Sequence, residues 1–296
     1  MSNMHHFVAL KSSFNDIQAK SWQTKTMSCP AILSLLILLE ILMFIIIPPV
    51  SRSLLFIGAG DSSLGDVVKS IGSKTPDGIY YKQISGNINS SVVVINYHGN
   101  YQSISSSSSF FGTLRPNINK IYEVEYRGYG NVPGSPNEEN LSHDLISFLK
   151  WVRNYHPDKQ IVLGGYSVGG SLVLLNLHRI DGQISGAIVF SPFSSLSDIV
   201  KRVWLTKIFI VRDCGWNVIE ELKKGTKTPV LVFGGKDDNI VPIELTYKIV
   251  EELKGMNELN TFRIFDSGGH FLPFSKSHRN QISNDITSFF QNILSE

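Results

Sequence analysis

One stretch, Gly-Gly-Tyr-Ser-Val-Gly-Gly at residues 164–170, lies between two apolar runs, at residues 161–163 and 172–175. This order predicts a strand, a sharp turn and a helix, with Ser167 at the turn. Such a turn strains the backbone of its central residue, and glycines beside it let the strand and the helix approach closely. The pattern indicates a nucleophile elbow. The alternative is a glycine-rich turn that only starts a helix.

Outward from this turn, apolar β-type runs alternate with helical patterns. Several runs, such as Val92 to Ile95 and Val230 to Phe233, are continuously apolar, as is typical of strands buried on both faces of a parallel sheet. Leu141 to Val152 and Ile282 to Ile293 show the apolar spacing of amphipathic helices. The alternation predicts an α/β fold with a doubly wound, mostly parallel sheet. The seven predicted strands are Ile79 to Ile84, Ser91 to Tyr97, Ile121 to Tyr126, Gln160 to Gly164, Gly186 to Phe190, Pro229 to Phe233 and Thr261 to Phe265.

Two further polar segments follow strands of the predicted sheet. Asp237 and Asp238 come after the run Val230 to Phe233, and His270 comes after the run that ends at Phe265. Functional loops of an open parallel sheet lie at the carboxyl ends of its strands, so an acid and a histidine are expected near Ser167. The order serine, acid, histidine is that of one class of catalytic triad. His278 is a rival histidine, but its polar surroundings indicate a surface position.

The segment His98-Gly99-Asn100 follows the predicted strand that ends at Tyr97. A carbonyl under attack gathers negative charge on its oxygen, and backbone amides stabilise that charge. We assign this oxyanion hole to the amides of Asn100 and Val168, so that the side chains of these two residues are not required. His98 is interpreted as a structural residue that holds the loop.

Together these motifs make residues 76–296 resemble the α/β-hydrolase family, in particular its membrane-anchored branch with depalmitoylase-like and lysophospholipase-like members. The resemblance also uses Tyr126-Arg127-Gly128-Tyr129-Gly130 and Gly134-Ser135-Pro136. It implies that Asp238, three residues after Gly235 and four before Pro242, is the triad acid. Asp237 then fits a turn acid that caps the next helix.

The implied chemistry is acyl transfer through a covalent Ser167 intermediate, with no metal or organic cofactor. The expected substrate is an ester or thioester in a small molecule, a lipid or an acylated protein. A serine peptidase or an esterase for soluble esters is the alternative, and a non-catalytic binding scaffold is the alternative from another class. The net charge of +2 does not suggest a nucleic-acid partner.

A single-pass membrane anchor is predicted at Pro30–Val50, which carries only one charge, Glu40. At 1.5 Å per residue, the run is long enough to cross a hydrocarbon core of about 30 Å. A signal peptide or a buried helix is the alternative. Lysines before the run outnumber the basic residues closely following it, which favours a cytosolic N-terminus. The predicted organisation is a tail at 1–29, the anchor at 30–50, a linker or short helical approach at 51–75 and a catalytic domain at 76–296.

A small lid is expected between Phe190 and Pro229. The segment contains Trp204, Leu205, Ile208 to Val211 and Trp216, which fit either the wall of an acyl-chain groove or a core helix. Cys29 and Cys214 are the only cysteines, so a disulfide framework is not expected.

Overall fold

The computed structural model describes residues 34, 38–42, 55–56, 58–71, 73–105, 110–201 and 215–295. The chain divides into two compact units, Met1–Leu42 and Met43–Glu296. In the first unit, residues 38–42 are helical. The second unit contains the β-sheet and the helices that cover it.

Two of the predicted features fall largely outside the described residues. They are the membrane anchor at Pro30–Val50 and the lid residues Trp204 to Val211. Among the helices that the structure describes, none is both long enough and apolar enough to cross a bilayer. Trp216, the described member of the lid segment, is buried, and its ring centroid lies 5.7 Å from that of Phe56 and 6.2 Å from that of Phe193. Its packing is that of a core residue.

In the part of the chain that the structure describes, the strands of the sheet are β1 (Tyr81–Ser85), β2 (Val92–Tyr97), β3 (Lys120–Val124), β4 (Gln160–Tyr166), β5 (Gly186–Phe190), β6 (Val230–Gly235) and β7 (Thr261–Phe265). These seven strands lie in the order β1-β3-β2-β4-β5-β6-β7. All neighbouring pairs are parallel except β1 with β3, so the predicted mostly parallel sheet is confirmed.

Helices cover both faces of this sheet. The α-helices described in this second unit are α1 (Val67–Ser70), α2 (Glu138–Tyr155), α3 (Val168–Ile180), α4 (Leu196–Val200), α5 (Val218–Leu222), α6 (Ile243–Leu253) and α7 (Arg279–Leu294). Short 3-10 helices occur at Ser62–Leu64, Phe110–Asn117 and Leu272–Phe274.

Alternate residues of the strands point into two separate apolar layers. Ile161 and Leu163 of β4 face a core shared with α2, α3 and α6, whereas Val162 faces a core shared with α7 and the segment Phe110–Asn117. This arrangement explains the continuously apolar central strands, because neither face of the sheet is left to water. It also brings the carboxyl ends of β2, β4, β6 and β7 to one edge.

The two predicted amphipathic helices form as expected. In α2 the side chain of Asn137 caps the first turn by accepting from the amide of Asn140, and Glu138 and Glu139 lie at the positive end of the helix dipole. The apolar stripes of α2 and α7 are buried. Each helix is therefore fixed mainly by packing on the sheet.

The described part of the segment 51–75, which was expected to form a linker or a short helical approach, contributes side chains to the core of the second unit. Phe56, Leu64 and Val67 are buried there. The amide of Gly60 donates to the carbonyl of Gly128, and that of Val67 to the carbonyl of Gly130. The chain thus enters the unit along the loop after β3.

Candidate active site

Ser167 lies at the turn between β4 and α3 with φ 54° and ψ −116°. This conformation lies in the left-handed half of φ space, which a residue with a side chain rarely adopts. Its amide donates to the carbonyl of Phe190 at 2.8 Å, and its carbonyl accepts from the amide of Ser171 at 3.0 Å. The strained turn is therefore held from β5 and from the first turn of α3.

The glycines around Ser167 are required by space. A Cβ on Gly165 would lie 2.4 Å from the carbonyl oxygen of Gly169, and one on Gly169 would lie 2.2 Å from that of Tyr97. Both distances are far below contact. The elbow can form only because strand, helix and the end of β2 approach backbone to backbone.

The structure brings Ser167, His270 and Asp238 together. Ser167 Oγ lies 3.0 Å from His270 Nε2, and His270 Nδ1 lies 2.8 Å from Asp238 Oδ2. All three residues are buried, with at most 8% of each exposed. A carboxylate cannot donate, so Nδ1 carries the proton and Nε2 is left to accept the hydroxyl proton of Ser167.

The two adjacent acids have different partners. The second oxygen of Asp238, Oδ1, accepts from the amides of Ile240 at 2.9 Å and Val241 at 2.7 Å, which fixes the carboxylate toward His270. Asp237 is instead turned to the loop after β7, where its Oδ1 accepts from the amide of Gly269 at 2.7 Å. The expected helix-capping role of Asp237 is wrong, because the residue before α6 is Pro242 and no side chain caps that helix.

Tyr166 packs against the histidine from the strand side. Its ring centroid lies 5.2 Å from that of His270 and 5.5 Å from that of Phe274. Burial, together with the negative charge of Asp238, raises the pKa of Tyr166 well above its usual value, so its phenol stays neutral. The three candidate residues are thus bordered by an uncharged aromatic wall.

The loop His98-Gly99-Asn100 lies directly against the elbow. A Cβ on Gly99 would lie 2.6 Å from the ring of Tyr166, and Gly169 abuts the carbonyls of Tyr97 and His98. Val168 is the first residue of α3, so its amide has no carbonyl within the helix to bind. This adjacency supports the predicted use of the Asn100 and Val168 amides, which stays a prediction.

The side chain of Asn100, expected to be dispensable, is fully engaged. Its Oδ1 accepts from the hydroxyl of Tyr129 at 2.7 Å and from the amides of Tyr101 at 2.8 Å and Gly58 at 3.4 Å. The side-chain oxygen of Asn100 therefore holds this loop in place through these three contacts.

Beneath this loop lies a buried ion pair that sequence reasoning missed. His98 Nε2 lies 2.6 Å from Glu125 Oε1, and His98 Nδ1 lies 2.7 Å from the carbonyl of Gly99. Both ring nitrogens therefore face acceptors and both donate, which requires the charged imidazolium. Burial by itself would lower the pKa of His98, but the negative charge of Glu125 and these hydrogen bonds outweigh it and raise the pKa.

The other contacts of Glu125 extend this pair. Its oxygens also accept from the hydroxyl of Ser103 at 2.7 Å and from the amides of Ile104 at 3.0 Å and Tyr126 at 3.1 Å. The hydroxyl of Tyr126 donates to the carbonyl of His98 at 2.7 Å. The sequence signal for this network was Glu125, an acid within the otherwise largely apolar run Ile121 to Tyr126.

A cavity of about 510 Å³ lies beside the start of α2. Its walls include the rings of Phe56 and Trp216 together with Ala59 and Pro136, and the polar part of its lining is Asn137, Glu138 and Glu139. Phe193, which contacts the ring of Trp216, is hydrogen-bonded through its amide to the hydroxyl of Ser171, one turn after Ser167. Among the described residues, His, Cys, Asp and Glu form no group of three suited to a metal ion.

Comparison with known protein families gives one match inside the sheet region. Residues 89–213 match the family Hydrolase_4, described as serine aminopeptidase, S33. The matched range contains Ser167 and Asn100 and ends before Asp238 and His270.

Two curated relatives share part of the chain. Protein bem46 of Schizosaccharomyces pombe is 32% identical over 139 residues, which is 45% of this chain and 45% of that protein. Lysophosphatidylserine lipase ABHD12 of Danio rerio is 22% identical over 173 residues, which is 53% of this chain and 44% of that protein. The chain therefore spans less than half the length of these two relatives.

A solved structure covers more of the chain. Monoacylglycerol lipase of Paleococcus ferrophilus superposes with a TM-score of 0.58 at 17% identity, over 73% of this chain and 99% of that one. At such low identity the likeness concerns the fold. Together, the sheet order, the serine turn and these matches show that this chain has the α/β-hydrolase fold.

Proposed function

We propose that this chain is a serine hydrolase that cleaves esters or thioesters, with Ser167 as nucleophile, His270 as general base and Asp238 as the orienting acid. The observation that carries the proposal is the pair of contacts that links them, 3.0 Å from Ser167 Oγ to His270 Nε2 and 2.8 Å from His270 Nδ1 to Asp238 Oδ2. Both are within hydrogen-bond reach, as the first proton transfer requires.

In the acylation step, Ser167 Oγ attacks the substrate carbonyl and its proton passes to His270 Nε2. The carbonyl oxygen becomes negative, and the amides of Asn100 and Val168 stabilise it. As the intermediate collapses, the bond to the alcohol or thiol breaks and His270 returns the proton to that leaving group. Asp238 stabilises the imidazolium throughout.

In the deacylation step, His270 takes a proton from water, and the resulting hydroxide attacks the acyl-serine carbonyl. The acid leaves and Ser167 recovers its proton from His270. Every proton in the cycle therefore passes through His270 Nε2, and water is the co-reactant that balances the reaction.

For the substrate, we propose a lipid or an acylated protein. Relatives and neighbours named as a lysophosphatidylserine lipase and a monoacylglycerol lipase support a lipid ester. The aromatic walls of the cavity beside α2 support an apolar acyl group.

We also propose that the run Pro30–Val50 anchors the chain in a membrane with its N-terminus on the cytosolic side. The support is the apolar sequence with a single charge. Resistance of the full-length chain to extraction by alkaline carbonate is the expected result. Complete release would contradict the anchor and leave the hydrolase proposal unaffected.

The test of the hydrolase is turnover of p-nitrophenyl esters of increasing acyl length by the full-length protein. Ser167→Ala should lower kcat by about 10⁴-fold or more, because the nucleophile is lost while the fold is kept. Equal turnover by the folded variant would contradict the proposal. Lack of turnover by both proteins would favour a non-catalytic binding scaffold.

A peptidase is the second candidate, favoured by the match of residues 89–213 to a serine aminopeptidase family. Aminoacyl p-nitroanilides distinguish the two activities, since their scissile bond is an amide. Faster cleavage of these amides than of esters, lost in Ser167→Ala, would replace the esterase proposal with the peptidase.

A further inference from the structure

Three exposed apolar or aromatic side chains lie immediately beside the candidate catalytic residues. Tyr101 is 54% exposed, Ile240 is 56% exposed and Phe271 is 60% exposed. Single exposed apolar residues are ordinary on a protein surface, whereas several around one opening mark a binding face. We call these three residues the apolar rim.

Each member of the rim is attached to a different part of the site. Tyr101 follows Asn100, Ile240 donates its amide to Asp238 at 2.9 Å, and Phe271 follows His270, with ring centroids 5.9 Å apart. The loops that carry them meet near Ser167: His270 is hydrogen-bonded to Ser167 and Asp238 to His270. The loop before Tyr101 lies against Gly169 of the same turn. The rim residues are therefore exposed side chains on the loops that carry the candidate site.

The path of the chain indicates how the rim would lie relative to a membrane that holds the apolar run 30–50. Phe56 and Gly58 lie at this same edge: Phe56 packs on Trp216, and a Cβ on Gly58 would lie 2.8 Å from Tyr101 Cα. The apolar run ends at Val50, six residues before Phe56. Six extended residues span at most about 22 Å. A chain held in a bilayer up to Val50 therefore cannot carry this edge far from the lipid surface.

We propose that the apolar rim of Tyr101, Ile240 and Phe271 docks the entrance of the active site onto a lipid bilayer, so that substrate passes from the membrane to Ser167. The proposal rests on the proposed function and on the proposed anchor. Tyrosine and phenylalanine suit this place because aromatic rings are enriched where a protein meets the headgroup layer.

The amino ends of the parallel strands, opposite the rim, offer a matched control. Ile88, in the turn before β2, is 82% exposed and therefore more accessible than any member of the rim. It lies at the amino end of the parallel strands, whereas the rim lies at their carboxyl ends. Exposure alone would make Ile88 the better lipid contact, and docking by the rim predicts the reverse order.

The experiment places an environment-sensitive nitrobenzoxadiazole label on the full-length protein in phosphatidylcholine vesicles. Single cysteines are introduced as Ile240→Cys, Phe271→Cys or Ile88→Cys in a Cys29→Ser/Cys214→Ser background. We expect the fluorescence emission of labels at positions 240 and 271 to shift to shorter wavelength and to be quenched by lipids with brominated acyl chains. The label at position 88 should keep the emission of a label in water.

The readout needs no catalysis, so its failure and that of the hydrolase are distinguishable. Equal quenching at all three positions, quenching at 88 alone, or no quenching anywhere would overturn the docking proposal. A wavelength shift at 240 and 271 that grows with protein concentration and resists lipid quenching would also overturn it, because a second copy would then cover the rim.

A kinetic measurement tests the same surface. The quantity compared is the hydrolysis rate on a long-chain ester in vesicles divided by the rate on water-soluble p-nitrophenyl acetate. The double variant Ile240→Ser/Phe271→Ser should lower this ratio by about tenfold, because less apolar surface then enters the lipid. Ile88→Ser should keep the wild-type ratio. A double variant that keeps the wild-type ratio would count against docking.

Discussion

Asp237 and Asp238 are chemically identical neighbours, yet only Asp238 faces the histidine. The difference lies in their hydrogen bonds, since the amides of Ile240 and Val241 bind one oxygen of Asp238 and leave the other for His270. Asp237 binds the amide of Gly269 instead. Position in the turn, rather than residue type, decides which acid can orient the base.

This difference gives a matched pair of variants. Asp238→Asn should lower kcat by about 10⁴-fold, because an amide donor at Nδ1 favours the wrong histidine tautomer. Asp237→Asn keeps an oxygen acceptor for Gly269 and should change kcat by less than about tenfold, as expected for loss of one charge-assisted bond. Ester turnover measures both. An equal loss in the two variants would contradict the assignment of Asp238.

The buried pair of His98 and Glu125 predicts a pH dependence of stability. The pKa of His98 is raised in the folded chain, so the folded state binds its proton more tightly than the unfolded state does. This stabilisation is fully present below the ordinary histidine value of about 6.5 and is lost as the pH rises through the raised pKa.

The measurement is the free energy of unfolding of wild type and His98→Ala from pH 6 to 9. At pH 6 the variant should be less stable by about 3–5 kcal/mol, because Glu125 is left buried without its partner. The difference should shrink with rising pH. A difference that is constant over this range would show that the His98 charge does not contribute.

At the scale of the element, the elbow is specified by backbone contacts. Gly169 lies against the carbonyls at the end of β2, whereas a Cβ on Gly170 would lie 3.2 Å from its nearest neighbour, the carbonyl oxygen of Gly165. The two adjacent glycines therefore tolerate a methyl group very differently.

Gly169→Ala should destabilise the fold by about 3 kcal/mol or more and abolish turnover, since β2 and α3 would have to separate. Gly170→Ala requires a shift of a few tenths of an ångström and should cost about 1 kcal/mol. Urea unfolding compares the two variants. A Gly169→Ala protein as stable as wild type would contradict the close approach of β2 and α3.

The strands and helices differ in how far the sequence could predict them. The continuously apolar runs of β2, β4, β5 and β6 and the spaced stripes of α2 and α7 are local signals, and these elements form as predicted. The antiparallel edge position of β1 is not local, because its half-buried residues fit any edge strand. Pairing with β3 is decided by tertiary packing.

In the candidate site, too, local features could be predicted from the sequence and contacts between distant loops could not. The motif around Ser167 and the order of the three triad residues could be read along the chain, because each residue follows its own strand. The roles of Glu125, Tyr129 and the Asn100 side chain could not, since each depends on a contact between loops that are distant in sequence. A buried acid directly after a strand, such as Glu125, shows that a partner exists without showing which one.

In the whole molecule, the residues of the candidate site lie far apart along the chain and close together in the fold. Ser167 and His270 are 103 residues apart and meet only because β4 and β7 belong to one sheet. The proposed activation of Ser167 therefore requires the folded unit. The same chain unfolded should have a serine hydroxyl of ordinary reactivity.

The most direct measurement is covalent labelling of the full-length protein by a fluorophosphonate, with the modified residue located by mass spectrometry. The expected result is one adduct on Ser167 in the folded protein, absent after denaturation in urea and absent in the folded variants Ser167→Ala and His270→Ala. A folded wild-type protein that stays unlabelled, or that carries its adduct on another serine, would contradict the proposed triad.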